Sequence, residues 1–233
     1  YKFDVEIDEP DVSPLQVQGP DSSKLMSKVF GDWVNDLGFY KFKQVTHEGI
    51  PMVIARMGYS RELCYELFLQ DGSKGNELWE LLWEAGQDFN ISAGGPNIIL
   101  RLEGGILSYL ADIDRSNNPY EVGLDRLVDL DQEDDFIGKE ALRLIRQNGP
   151  TKKLLGAEIH GDPIEDSNAD HWPVFIDGKE VGSMNAMAYS PRLDKNICYT
   201  ILDIEHAKSG QEIVIASPEK NLIATTVDLP WHE

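Results

Sequence analysis

Arg56-Met-Gly-Tyr-Ser-Arg-Glu-Leu-Cys-Tyr-Glu-Leu-Phe68 is the stretch around which the chain is organised. Pro51 to Arg56 (Pro-Met-Val-Ile-Ala-Arg) reads as a buried strand and Tyr65 to Leu69 as a second. Gly58 marks the turn between them, so the segment reads as a hairpin. Glu66 then stands inside an apolar strand, between Tyr65 and Leu67. A carboxylate in that setting is costly to desolvate unless something pairs with it. Its partner is a cation, a set of N–H donors, or a ligand that brings those donors. Arg56 and Arg61 are the cations within reach of the hairpin. A fused heterocycle with a 2-amino group beside a ring N–H is the matching ligand, because a carboxylate accepts two parallel N–H bonds well. Tyr59 could then pack on the face of that ring. The residues alone leave both readings open.

Outward from the hairpin, the pattern is that of an α+β fold, with mixed or antiparallel sheets layered by helices. Tyr1 to Ile7 and Leu15 to Gln18 read as strands. A helix follows, capped by Asp21, Ser22 or Ser23, with Leu25, Met26, Val29 and Phe30 on one face. Phe39 to Val45 reads as a strand and Asn76 to Phe89 as an amphipathic helix. Pro96 to Leu110 reads as a further helix, with Pro96 in its first turn, Arg101 and Glu103 on its polar side, and Gly104-Gly105 inside it at a cost of about 1 kcal/mol per glycine. Leu127 to Leu130 reads as a strand, and Phe136 to Gln147 as a helix.

Asn148-Gly149-Pro150 is a strong breaker. It divides an α+β portion, residues 1–148, from a C-terminal portion, residues 149–233. Beyond it the apolar period becomes two, with short strands at Lys153–Ile159, Trp172–Ile176, Glu180–Met184, Ile197–Ile204, Gln211–Ala216 and Leu222–Leu229. Asp177-Gly178 is a tight hairpin signal. Six short strands with little helix predict a small β-barrel or sandwich.

The 233 residues, 41% of them hydrophobic, suffice for one sizeable core or a main domain with a smaller one. The chain opens at Tyr1 without Met and reads as lacking its natural beginning. With 41 acidic against 21 basic residues the formal charge is −20. Such a field repels nucleic acid and anionic membranes, so neither is an expected partner. No apolar stretch of membrane-spanning length occurs. Cys64 and Cys198 lie far apart in apolar runs and read as reduced core thiols of a cytoplasmic protein. The acidic knot at Asp129, Asp131, Glu133, Asp134 and Asp135 lacks the glycine and terminal glutamate of a calcium loop and reads as solvated. The five histidines show no metal-ligand spacing, so no metal site is expected. The paired glycines make neither a dinucleotide fingerprint nor a P-loop, and no Gly-x-Ser-x-Gly elbow is present. Asp112, Asp114, Arg115 and Glu121 form either the rim of a cleft or a solvated loop. Trp33, Tyr109 and Tyr120 are either a cation-binding aromatic box or ordinary core.

Several motifs, in order and over nearly the whole length, carry a resemblance. They are Gln18-Gly19-Pro20, Arg56-Met-Gly-Tyr59 with Glu66 seven residues on, and Arg101-Leu-Glu-Gly-Gly-Ile-Leu107. Asn118-Pro-Tyr-Glu-Val-Gly-Leu124, Asp135-Phe-Ile-Gly-Lys-Glu-Ala-Leu142, Gly182, Ser190-Pro191 and Asp228-Leu-Pro230 complete the series. The chain resembles the tetrahydrofolate-dependent aminomethyltransferase family, the T-protein of the glycine cleavage system and its relatives. Asp8-Glu-Pro-Asp-Val-Ser-Pro14, Gly94-Gly-Pro-Asn97 and Leu107-Ser-Tyr109 look most like its dimethylsulfoniopropionate demethylase branch. Aminomethyltransferases place an arginine shortly before the Arg-Leu-Glu run. Here Asn97 stands near that position, which together with the short end after Trp231 favours the demethylase branch. The turn Ser60-Arg-Glu-Leu63 departs from the family's glycine-bearing turn.

The resemblance implies a folate-binding fold with a C-terminal β-barrel. It implies tetrahydrofolate as cofactor, with Glu66 at the pterin edge and Tyr59 at the folate, and it points to Tyr109 and Asn97 as substrate contacts. The implied reaction is transfer of a methyl group from a small sulfonium such as dimethylsulfoniopropionate to N5 of tetrahydrofolate, with no covalent protein intermediate. No catalytic residue is assigned, because the family's acidic residue belongs to a stretch roughly a hundred or more residues long that precedes this one. An aminomethyltransferase, the folate domain of a demethylating oxidoreductase and a non-catalytic folate-binding module are the alternatives. The expected partners are the small-molecule methyl donor and, at the level of assembly, a second copy in a homodimer.

Overall fold

A computed structural model describes residues 4–10, 12–95, 97–167 and 170–231. The chain divides into two compact units, Tyr1–Pro96 and Asn97–Glu233. The break at Asn148-Gly149-Pro150 falls inside the second, between a helix and the first barrel strand.

The first unit contains β1 (Ser13–Gln18), α1 (Ser22–Phe30), β2 (Phe42–His47), β3 (Ile50–Ala55), β4 (Cys64–Leu69) and α2 (Gly75–Gly86). Its four strands form one antiparallel sheet in the order β1-β4-β3-β2. The expected hairpin is the β3–β4 pair. Side chains alternate across a strand, so each strand divides its residues between two faces. Val17, Met52, Ile54, Tyr65, Leu67 and Leu69 join Leu25 and Met26 of α1 and Leu78 and Leu82 of α2 in one core. The opposite face carries the row Phe42–Ala55–Glu66–Gln16, read straight across the four strands, and beside it the row Gln44–Val53–Phe68–Pro14. The strand expected over Tyr1–Ile7 is not formed where it is described: residues 4–7 are irregular and exposed, and Tyr1 to Phe3 lie outside the described residues.

The second unit opens with α3 (Ile98–Glu103), continues with α4 (Lys139–Asn148), and ends in β5 (Lys152–Ile159), β6 (Trp172–Ile176), β7 (Lys179–Ser190), β8 (Lys195–Asp203), β9 (Glu212–Ala216) and β10 (Asn221–Val227). These six strands close into a barrel in the order β10-β5-β8-β7-β6-β9. Leu155, Ala157, Val174, Val181, Met184, Leu202, Ile213, Ile215 and Ala224 belong to its buried core. Asp177-Gly178 forms the two-residue β6–β7 turn, and both residues hold positive φ, at 50° and 77°, as a primed turn requires. Leu102 of α3 packs with Ala186 and Ala188 of β7 and Ile197 and Tyr199 of β8.

Two expectations fail here, each for a local reason. The helix expected over Pro96–Leu110 ends at Glu103; Pro96 lies outside the described residues. Gly105 adopts φ +67°, its N–H reaches the carbonyl of Leu102 (3.0 Å), and the N–H of Ile106 reaches that of Arg101 (3.0 Å). That is a Schellman termination, so the glycine pair ends the helix and is not an interior cost. The strand expected at Leu127–Leu130 is instead a 3₁₀ turn, Asp125–Leu127, followed by a loop. There Asp129 Oδ1 accepts the N–H of Asp131 (3.0 Å) and of Gln132 (3.1 Å). A side chain that satisfies nearby backbone donors competes with strand pairing.

Among the described glycines, Gly182 in β7 has the closest neighbour. Its φ is +155°, and an added Cβ would lie 2.1 Å from the carbonyl oxygen of Ile201. Gly182→Ala is expected to cost about 3 kcal/mol or more, by forced movement of β8. Denaturant unfolding of the variant checks this, and an unchanged midpoint contradicts it.

Candidate functional site

Glu66 lies on the open face of the first sheet. Its neighbours Tyr65 and Leu67 point to the other side and are buried in the core, whereas Glu66 is half-buried. This corrects its expected placement within apolar surroundings: strand alternation puts it in a row between Ala55 and Gln16. Among the described residues, no donor is hydrogen-bonded or ion-paired to its carboxylate. The Arg56 guanidinium is turned to the carbonyl of Leu37 (3.4 Å). Desolvation therefore acts on Glu66 without compensation and raises its pKa above the ordinary glutamate value.

The 56–63 segment folds onto this face. An added Cβ on Gly58 would stand 2.6 Å from Cys64 Cβ and 2.7 Å from its Sγ, so only glycine permits the approach. Cys64 faces the same side as Glu66, two residues along β4. Tyr59 follows Gly58 directly and is 42% exposed. Ser60 donates its hydroxyl proton to Gln18 Oε1 (2.6 Å) and its Oγ accepts the N–H of Glu62 (3.3 Å). Arg61 holds φ +60°, a conformation that costs an L-residue and suits glycine. Burial, and after it the charge of Glu66, push the Cys64 thiol up to about 11 against a lowering hydrogen bond from Gln16. The thiol stays protonated at neutral pH and is no nucleophile. Cys198 is buried and its pKa is likewise raised by desolvation.

No sequence pattern singles out Gln16, Gln18 and Ser60, of which Gln16 pairs with Glu66 and donates to Cys64, and Ser60 donates to Gln18. The alternation Gln16-Val17-Gln18 shows that both amides share a face. Only the β1–β4 register shows that the face is the one carrying Glu66.

In the second unit, Asn97 is the N-cap of α3, where its Oδ1 accepts the N–H of Ile99 (2.8 Å) and of Leu100 (3.3 Å). Its carboxamide oxygen is therefore committed to the helix. Tyr109 is 57% exposed. Arg101 and Glu103, expected on the polar side of a surface helix, are both buried. Arg101 pairs with Asp112 and also donates to the carbonyl of Ile106 (3.0 Å). Asp112 also accepts from the N–H of Ser108, and Asn185 of β7 donates to the Asp112 carbonyl. Glu103 accepts from the Ser190 hydroxyl (2.5 Å). Arg192 Nε lies 3.4 Å from its Oε2, near enough for charge attraction though not aligned as a hydrogen bond. Glu121 is buried too, accepting from Thr151 Oγ1 (3.0 Å). Asp112 and Glu121 are thus interior framework rather than a rim, whereas Asp114 is exposed and caps Ser116. Trp33 packs against the first unit's core and donates to the carbonyl of Phe30 (2.7 Å).

In the acidic knot, Lys139 Nζ donates to the carbonyls of Gln132 (2.6 Å) and Asp134 (3.0 Å). Among the described residues, no group of three or more His, Cys, Asp or Glu side chains could hold a metal. Nor is any helix among them long and apolar enough to cross a membrane.

Most of the chain has counterparts among known proteins. Residues 2–132 match the GCVT N-terminal domain, and residues 152–232 match the glycine cleavage T-protein C-terminal barrel domain. The chain is 39% identical over 219 residues to dimethylsulfoniopropionate demethylase DmdA of Ruegeria pomeroyi, covering 93% of this chain and 58% of that protein. It is 35% identical over 219 residues to an aminomethyltransferase of Halothermothrix orenii, covering 93% of this chain and 60% of the relative. The chain therefore spans about 60% of the length of these relatives. In fold it is similar to the crystal structure of glycine cleavage system aminomethyltransferase T from Bartonella henselae, with a TM-score of 0.76 at 21% identity over 94% of this chain and 59% of that one.

The capping role of Asn97 is open to a direct measurement. Asn97→Ala is expected to lower stability by about 1 kcal/mol, and Asn97→Asp to retain most of it. Thermal melts of the two variants decide this; equal melting for Asn97→Ala and the parent chain would remove the capping role.

Proposed function

Because this chain belongs to the glycine cleavage T-protein family, we propose that it is the folate-binding and C-terminal part of a tetrahydrofolate-dependent one-carbon transferase. The observation that carries this reading is the uncompensated Glu66 carboxylate on an open sheet face. A half-buried anion without a donor calls for a ligand with paired N–H groups. The 2-amino and adjacent ring N–H of a pterin are such a pair, so the residues present fit the group. Tetrahydrofolate, when bound, offers N5 as the acceptor of the one-carbon unit. Glu66 would hold and orient the heterocycle by its edge. Tyr59, exposed and fixed by the Gly58–Cys64 approach, would bear on its face.

The methyl donor on this reading is a small sulfonium compound such as dimethylsulfoniopropionate, supported by the 39% identity to the demethylase. Tyr109, 57% exposed, is a residue suited to a sulfonium by cation–π attraction. Transfer of an aminomethyl group is the second reading, supported by the 35% identity to an aminomethyltransferase. Asn97 is not carried forward as a substrate contact, since its oxygen caps α3. Methyl-transfer assays with sulfonium and glycine-cleavage donors separate the two readings, and binding of tetrahydrofolate without turnover by either leaves the chain a folate-binding module.

Glu66→Ala is expected to weaken tetrahydrofolate binding about tenfold or more, the scale of a lost charge-assisted pair. Unchanged affinity in calorimetric titration of the folded variant removes the assignment. The raised pKa fixes the sign of a pH effect. In the free chain the protonated acid is favoured, so its contribution to stability is present at low pH and lost as pH rises through the raised value. A bound N–H pair favours the anion, so binding releases a proton, and affinity falls as pH drops through that same value. Glu66→Gln is expected to abolish this proton release, measured by titration in buffers of different ionisation enthalpy.

A further inference from the structure

We propose that Gln16 is a specificity residue of the same site, a neutral acceptor beside Glu66 that takes the N–H of the pterin amino group which the carboxylate leaves unused. The inference rests on the folate reading above and adds a contact to it. Gln16 of β1 is paired directly with Glu66 of β4 in the antiparallel register, so the two side chains rise side by side from one face.

The orientation of the Gln16 amide is set by its neighbours. Its Nε2 donates to Cys64 Sγ (2.9 Å) and to Gln18 Oε1 (3.3 Å). Gln18 Oε1 is itself held by the Ser60 hydroxyl (2.6 Å), next to Tyr59. With the nitrogen committed in this way, Oε1 is the atom left to act. Among the described residues it has no hydrogen-bond partner, and the residue is exposed.

Glu66 and Gln16 thus present adjacent acceptors. A 2-aminopyrimidinone edge supplies three N–H vectors, one on the ring and two on the amino group. The carboxylate takes two in parallel, and the third points past it to the neighbouring strand. A glutamine suits that place better than a second acid, because two anions side by side repel and one of them must protonate. The chain from Ser60 through Gln18 to Gln16 ties the tyrosine-bearing segment to the residue that reads the ligand edge.

The test is calorimetric titration of the full 233-residue chain and of Gln16→Leu with two ligands, tetrahydrofolate and its 2-desamino analogue. Gln16→Leu is expected to weaken tetrahydrofolate binding about fivefold to tenfold and to leave affinity for the analogue unchanged, because the analogue lacks the N–H in question. Gln16→Met, of similar length, is expected to behave in the same way and serves if the leucine variant does not fold. Equal loss for both ligands identifies a structural role through Cys64 and overturns the assignment, as does no loss for either. If the parent chain binds no tetrahydrofolate, the folate reading falls and this one with it. If the parent binds, Glu66→Ala weakens binding and Gln16→Leu does not, Gln16 alone is wrongly placed.

Discussion

Antiparallel pairing of β1, β4 and β3 is the constraint on which the first unit depends. Pairing in register sorts every residue of β4 to one of two faces, of which only one is filled by the core under α1 and α2. Tyr65, Leu67 and Leu69 go to the core under α1 and α2. Cys64, Glu66 and Phe68 go to the other side, beside Gln18, Gln16 and Pro14. A slip of one residue would put the Glu66 carboxylate into the apolar core and expose Leu67, an exchange that costs several kcal/mol. The same alternation that stabilises the unit therefore holds an unpaired carboxylate on its open face.

The segment between β3 and β4 completes that face by steric means. Gly58 has no side chain, and its backbone occupies the space beside Cys64. The contact places Tyr59, and the Ser60–Gln18 hydrogen bond holds the segment from the other side. Cys64 contributes as a buried, protonated filler and hydrogen-bond acceptor, not as a reagent.

In the second unit, a buried charge network does what apolar packing alone does not. Arg101, Asp112 and Asn185 join α3, the loop after it and β7, and Glu103 with Ser190 makes a second tie from the same helix. Removing one partner of such a pair leaves an isolated charge in the interior, which costs about 3–5 kcal/mol, although the intact pair adds little net stability. These contacts help explain why a helix of six residues keeps its place against the barrel.

Local pattern alone makes much of this protein legible. The hairpin, the helices α1, α2 and α4, all six barrel strands and the Asp177-Gly178 turn follow from apolar period and turn chemistry, which act over a few residues. The family resemblance follows from the order of short motifs. What the amino-acid order could not decide depends on contacts between distant positions. Arg101 and Glu103 look like solvated charges until Asp112, Asn185 and Ser190 arrive from elsewhere in the chain. Gly104-Gly105 looks like a flaw inside a helix until the hydrogen bonds of Gly105 and Ile106 show it to be the end. Glu66 looks buried when read between Tyr65 and Leu67. Its half-buried place, its lack of a donor and its pairing with Gln16 exist only once β1 has been laid beside β4, across the 48 positions that separate Gln16 from Cys64. Periodicity states that alternate residues share a face, but only the assembled sheet and the helices covering one side of it determine which face meets water.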